Sequence, residues 1–384
     1  MKNRFLLYAG IFFLLFMIFF PLDFLGNFQE KLTSFLFGDL TEWLIIDVFK
    51  VKNAGIDFSS DSLSMVVLIS LLLIVSVILS ILTAKKYRQN ILFLSKEIIV
   101  LYLAVIVMKY GLDKIFKAQF YLPEPNILYS RFGNLDKDIL YWSTMGTSHF
   151  YSVFAGILEL AAAVLILFNK TRILGLLLAI GILINVFAIN IGFDISVKLF
   201  SLVLLLMAVF TLKNEWVILY QFLIVKKEKR LTDETISNSK LQPIWGFFKT
   251  AFLGLSLVMI LFPYVYSGNY NDDTAARPFI HGAFKNIDKN SDVRYVFFHR
   301  NHYLILMDKN ENTMDFHYSF QPSKQNMVLE DYNGKKIQAG CSYRKKDSLI
   351  TLTIGKSRIE AKGLNWRKMK ALQPVFHTII EEVK

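Results

Sequence analysis

The chain has 384 residues, 54% hydrophobic and only 19% charged, against about 25% charged in an ordinary soluble domain, and its mean hydropathy is +0.42. The shortage is uneven: charged residues are 32 of 122 (26%) over 263–384 but 42 of 262 (16%) before that, so a lipid-compatible body precedes a water-soluble tail and a wholly soluble protein is excluded. The net charge of +12 is shared by both parts without a long basic run, so nucleic acid is not an expected partner, and the single cysteine, Cys341, excludes an intramolecular disulfide or a CxxC pair.

Seven stretches approach the ~20 apolar residues that a spanning helix needs: Phe5–Leu22, Leu63–Thr83, Ile98–Lys117, Tyr151–Phe168, Ile173–Gly192, Val197–Leu212 and Pro243–Phe262. The first has no small-residue cleavage site at Pro21-Leu22-Asp23-Phe24 and reads as an uncleaved anchor. The sixth is short, and if it fails the tail changes side. Between the first two, Leu32, Phe35, Leu36, Leu40, Trp43, Leu44 and Phe49 recur at helical steps among charged residues. That pattern fits a helix on the outer membrane surface, or one packed on its own bundle.

Orientation follows from basic residues in short loops. Lys2 and Arg4, Lys85, Lys86 and Arg88, Lys170 and Arg172, and the cluster at 226–230 all fall on one side. The expected location is a bacterial inner membrane with the N-terminus cytoplasmic and the C-terminal domain periplasmic. Residues 231–242 are polar and read as a cytoplasmic linker.

The tail alternates as β-structure does. Arg294–Phe298 and His302–Met307 flank a turn, Thr313–Phe320 alternates, and Asp331-Tyr332-Asn333-Gly334 separates Met327–Leu329 from Lys336–Arg344. Ser348–Ile354 and Ser357–Ala361 follow, and Trp366–Val383 has a helical pattern restarting at Pro374. The expected fold is therefore a polytopic α-helical membrane protein of about seven spans plus a small antiparallel β domain with a C-terminal helix.

The polar residues of spans three to six collect toward their outer ends. Span three carries Lys109, Asp113 and Lys114; span four carries Glu159, about seven residues or roughly 10 Å inward; span five carries Asn185 and Asn190 and ends at Asp194; Lys198 opens span six. A charge in the bilayer costs about 2.5–3.5 kcal/mol on insertion scales and takes a partner, so Lys114 and Glu159 are the natural pair. Two readings stay open: an outward-facing polar pocket, or an ion pair and amides that join helices. The aromatic loop 118–150, with Trp142 and His149, would cover the pocket's mouth. His299, His302 and His317 give no ligand spacing for a metal, and none is expected.

Ile98–Leu212 resembles the DoxX family of four-helix membrane proteins, on Gly111 with Lys114, on Gly156-Ile157-Leu158-Glu159, and on Asn190-Ile191-Gly192-Phe193-Asp194. The whole layout, ending in Leu364-Asn365-Trp366-Arg367-Lys368-Met369, is similar to long DoxX-like envelope proteins. The resemblance implies a subunit of a membrane redox complex, with a quinone or lipid-like ligand and a redox partner protein. Lys114 and Glu159 are its catalytic candidates, and Asp113, Asn185, Asn190, Asp194, Lys198, Trp142 and His149 its ligand-binding ones. No cofactor is expected within the chain beyond the possible quinone. The rival expectation is a non-catalytic envelope scaffold whose β domain docks a partner. The expected domains are a two-span region at 1–97, the DoxX-like core at 98–212, a linker at 213–242, a seventh span at 243–265 and the β-rich domain at 266–384.

Overall fold

The computed structural model describes residues 2–20, 28–51, 55–58, 60–226 and 241–374. Its helices in chain order are α1 (Lys2–Phe19), α2 (Phe28–Trp43), α3 (Leu63–Leu82), α4 (Arg88–Ile115), α5 (Pro125–Tyr129), α6 (Lys137–Thr147), α7 (His149–Leu167), α8 (Arg172–Gly192), α9 (Lys198–Thr211), α10 (Trp216–Leu223) and α11 (Leu241–Ser267). Eight strands follow: β1 (Gly282–Asn286), β2 (Val293–Phe298), β3 (Tyr303–Asp308), β4 (Thr313–Gln321), β5 (Asn326–Glu330), β6 (Lys336–Arg344), β7 (Leu349–Ile354) and β8 (Ser357–Leu364). The chain divides into two compact units, residues 1–116 with 153–270 and residues 117–152 with 271–384.

The first unit is helical. Among the described residues, α3, α4, α7, α8 and α11 are long and apolar enough to cross a membrane, and α9 with α10 forms a sixth candidate bent by 73°. The sixth stretch is thus the short helix α9, the break follows it at 212–215, and α10 occupies the start of the expected linker; most of that linker, like 227–230 of the basic cluster, lies outside the described residues. Phenylalanines tie α1 to α9: Phe20 stacks on Phe200 at 4.4 Å, and Phe13 meets Phe210 edge-on at 5.4 Å. The end of α1 leaves carbonyls without intrahelical donors. Gln29 of α2 donates to Met17 O at 3.0 Å, and Thr33 donates to Phe19 O at 2.7 Å. This turns the polar edge of α2 inward and leaves Phe28, Phe35, Leu36, Leu40 and Trp43 exposed.

The second unit is a closed eight-stranded barrel in which each strand pairs antiparallel with the next and β8 pairs with β1. Every strand read from the sequence is present. The addition is β1, whose residues Gly282, Ala283, Phe284 and Asn286 are all buried, so no alternation marks it. By pairing Ala283 with Leu364 it closes the expected antiparallel sheet into a barrel. The interior is filled by side chains, among them Phe284, Phe298, Leu304, Met327 and Leu352, as in small barrels generally. The hydroxyl of Tyr318 has no partner there, and burial pushes it and the Cys341 thiol each up to about 12.

Outside, Leu128 and Tyr129 of α5 and Trp366 cover the wall formed by Ala283, Phe297, Ile305 and Met307. Tyr129 lies 5.2 Å from Tyr295 and 5.8 Å from Phe297, ring to ring. This anchors the 117–152 segment on the barrel. The expected C-terminal helix is corrected over its first part: Trp366–Lys368 and Lys370–Leu372 form two 3-10 turns. Residues 375–383 of that expectation lie outside the described residues.

Candidate functional site

The residues singled out in the helical unit occupy three separate places. The first is where α4 meets α7. A Cβ on Gly156 would stand 2.5 Å from Gly111 O, so glycine at both positions lets the two backbones touch. Directly beside that contact, Lys114 Nζ lies 2.8 and 2.9 Å from the two oxygens of Glu159. Both side chains are over nine-tenths buried. On the same end of α4, Lys109 binds Asp113 at 2.7 Å, and the Tyr264 hydroxyl of α11 donates to the other Asp113 oxygen.

The second place joins α8 to α9, where the Asn190 amide donates to Ser201 Oγ at 3.0 Å; Asn185 is exposed. The third is the start of α9. Lys198 pairs with Asp194 at 2.8 Å, and the Asp61 carboxylate accepts the backbone N–H groups of Lys198 and Leu199 at 2.7 and 2.9 Å. Asp61 thereby satisfies two of the four donors that a helix start leaves open. The donors expected to face a quinone are thus engaged within the protein: Lys114 by Glu159, Asn190 by Ser201, Lys198 by Asp194.

Trp142 and His149 belong to the barrel unit, and there a different cluster assembles. Gly146 of α6 packs so tightly that a Cβ would stand 2.1 Å from Tyr121 O. Lys117, fully buried, donates to Gly146 O at 2.7 Å and lies 3.6 Å from Asp273, which His149 approaches at 3.4 Å. Burial holds the Lys117 ammonium below the usual lysine range, against the opposing pull of Asp273.

Glu124, between Pro123 and Pro125 at the start of α5, meets His281 Nε2 at 2.8 Å and accepts the Arg300 N–H at 3.3 Å. Burial works against its charge. The His281 hydrogen bond, the neighbouring His299 and the Arg300 N–H outweigh it and hold the carboxyl below the ordinary value of 4.5. His299 is itself held below 6.5, first by burial and against the attraction of Glu124. Behind them Asp272 bridges Arg277 at 2.8 Å and Arg300 at 2.5 Å, and the Arg300 guanidinium lies 4.1 Å over the Tyr121 ring. Asp272 thus has two counter-charges, and Glu124 two hydrogen-bond partners.

In front of the cluster opens a groove of about 470 Å³, within the range of small-molecule sites. Aromatic residues Tyr121, Trp142, Tyr303 and Tyr332 line it together with Glu124, Asp315, Gln119 and Asn126. Trp142 is held from behind by Phe120 at 5.4 Å and Tyr141 at 5.6 Å. Gln119 Oε1 and Asn126 Oδ1 are buried acceptors without a donor, a deficiency that costs about 1–3 kcal/mol each. Of the ligand-binding candidates named from the sequence, Trp142 lines this groove; His299 and Tyr332, named there for other reasons, line it too. Glu124, His281, Arg300 and Asp272 carry no periodic signal. The cue in the sequence is local: a glutamate locked between two prolines, and His299-Arg300 at a hairpin turn.

No family model and no solved structure matches the chain. It is 35% identical over 112 residues to the uncharacterized protein YwoB of Bacillus subtilis, a stretch covering 29% of this chain and 71% of that relative. The chain belongs to the YwoB family. The shared stretch is a small share of this chain and most of the relative, so YwoB is the shorter protein.

Proposed function

We propose that this is a multi-pass protein of a bacterial cytoplasmic membrane whose helical body anchors an extracytoplasmic barrel unit, and that the barrel unit binds a neutral, hydroxyl-rich ligand, a saccharide by its chemistry. The groove carries the reading. Its aromatic rings suit the C–H faces of a sugar ring. Its polar groups mix acceptors and donors: the carboxylates of Glu124 and Asp315 stand among Tyr121, Trp142, Ser143, His299 and Tyr303. With Asp272 balanced by Arg277 and Arg300, and Glu124 hydrogen-bonded to His281 and the Arg300 N–H, the ligand brings neutral hydroxyl groups, which both donate and accept, rather than charge.

Chain topology supports the placement. Residues 117–152 and 271–384 share one compact unit, so they lie on one side of a bilayer, and an even number of crossings separates them. Helices α7, α8 and α11 supply three, and α9 with α10, read as one span broken at 212–215, supplies the fourth. The basic residues at 85–88 and 170–172 then lie on the cytoplasmic side. The exposed apolar side of α2 suits a helix lying in the opposite interface.

In this reading Lys114 and Glu159 pin α4 to α7 rather than handle protons for a redox partner. The test is a titration of the full chain in lipid nanodiscs with a panel of neutral oligosaccharides, read by tryptophan fluorescence. Saturable quenching or enhancement by a saccharide is expected. A flat response across neutral glycans, with binding of a charged or purely apolar compound in the groove, would overturn the ligand class.

A further inference from the structure

A second crevice, of about 340 Å³, lies in the helical unit between α4, α11 and the end of α7. Its walls are apolar: Val105 and Met108 on α4, Leu253 and Leu257 on α11. At Gly254 an added Cβ would meet nothing within 4 Å, so the crevice is open there. One charge reaches it. Lys249 donates to Leu167 O, the last residue of α7, at 3.1 Å. Its charged neighbours are Arg172 and Glu97, and these two already pair at 2.7 Å. A single carboxylate therefore serves two cations, while the helix end offers only about half a negative charge. An excess of positive charge sits at the mouth of an apolar slot.

We infer that this crevice binds an anionic phospholipid, with its phosphate against Lys249 and an acyl chain along Val105, Met108, Leu253 and Leu257. The inference rests on the reading of these helices as membrane spans and is independent of the barrel groove. Lys249 stands near the start of α11, on the side assigned to the cytoplasmic leaflet, whose anionic lipids attract basic residues by about 1 kcal/mol each, roughly five-fold in affinity. A zwitterionic lipid fills the same slot but leaves the excess charge unmatched.

The test is native mass spectrometry and thermal unfolding of the full chain in detergent, titrated with phosphatidylglycerol, phosphatidylcholine or glycerol 3-phosphate. Phosphatidylglycerol is expected to bind about five-fold more tightly than phosphatidylcholine, with no stabilisation by glycerol 3-phosphate. Lys249→Gln should bring the two lipids level, and Gly254→Leu, which fills the slot, should weaken both. Equal binding of the two lipids by the unaltered chain would overturn the head-group assignment, whatever the variants do. Stabilisation by glycerol 3-phosphate equal to that by the lipid would mean an anion site without an acyl chain. Undiminished phosphatidylglycerol binding in both variants would place the lipid elsewhere. A saccharide response in the same preparations reports on the barrel groove separately, so the two readings fail independently.

Discussion

Replacing Glu159 by leucine leaves the Lys114 ammonium buried without its carboxylate. At 2.8 Å and an effective dielectric of ~20, the attraction lost is about 6 kcal/mol, part of which only offsets the cost of burying two ions. Removing one member of such a pair while the other stays buried costs about 3–5 kcal/mol. Glu159→Leu and Lys114→Met should each destabilise the helical unit by that amount. The double variant removes both charges and leaves apolar side chains at the α4–α7 contact, so it should return to within about 1–2 kcal/mol of the parent. The assay is reversible unfolding in mixed micelles, followed by helical circular dichroism, with saccharide binding measured alongside. A double variant as unstable as the sum of the singles would refute the pinning role. So would a folded, stable double variant that has lost ligand binding, since that result assigns the pair to function.

Three further outcomes follow from particular contacts. Gly156→Ala puts a methyl group 2.5 Å from Gly111 O; the helices must part, costing about 1–3 kcal/mol in the same unfolding assay. The barrel unit should lose stability in acid in two steps. His299 is held below 6.5, so its contribution is complete above that pH and declines as pH falls through the folded value; Glu124 is held below 4.5 and its contribution declines below that. Thermal midpoints against pH should show both slopes, with the lower one absent in Glu124→Gln. Cys341, buried in the barrel with its thiol pushed up to about 12, should resist maleimide at pH 8 until the barrel unfolds.

Much of the fold is legible in the sequence because its physics is local. Apolar length marks α3, α4, α7, α8 and α11, and period-two alternation marks six of the eight strands closely, Lys336–Arg344 to the residue. The barrel's closure is not local. It depends on β1, five residues of which Gly282, Ala283, Phe284 and Asn286 are buried, and on Leu364 reaching across to Ala283. The helical pattern after Trp366 is overridden by packing: Trp366 and Leu372 join the cluster on the barrel's outer wall.

The same division holds for the sites. Lys114 and Glu159 are predictable partners, since an intramembrane charge demands one. Asp113's partner on α11, Tyr264, is 151 residues away and carries no charge to announce it. The groove draws on 119–127, 139–143, 299–305, 315 and 332. These segments are brought together by α5 seating on the wall of β1–β3, which no spacing encodes.

The measurement that bears most directly on the central claim is a fluorescence titration of saccharides against the full chain and its Trp142→Ala and Lys114→Met/Glu159→Leu variants. Loss of one stacking ring should weaken binding by about ten-fold, or 1.4 kcal/mol, while the membrane-pair variant binds as the parent does. Unchanged affinity in Trp142→Ala, or loss of binding in the pair variant alone, would place the site in the helices and contradict the account.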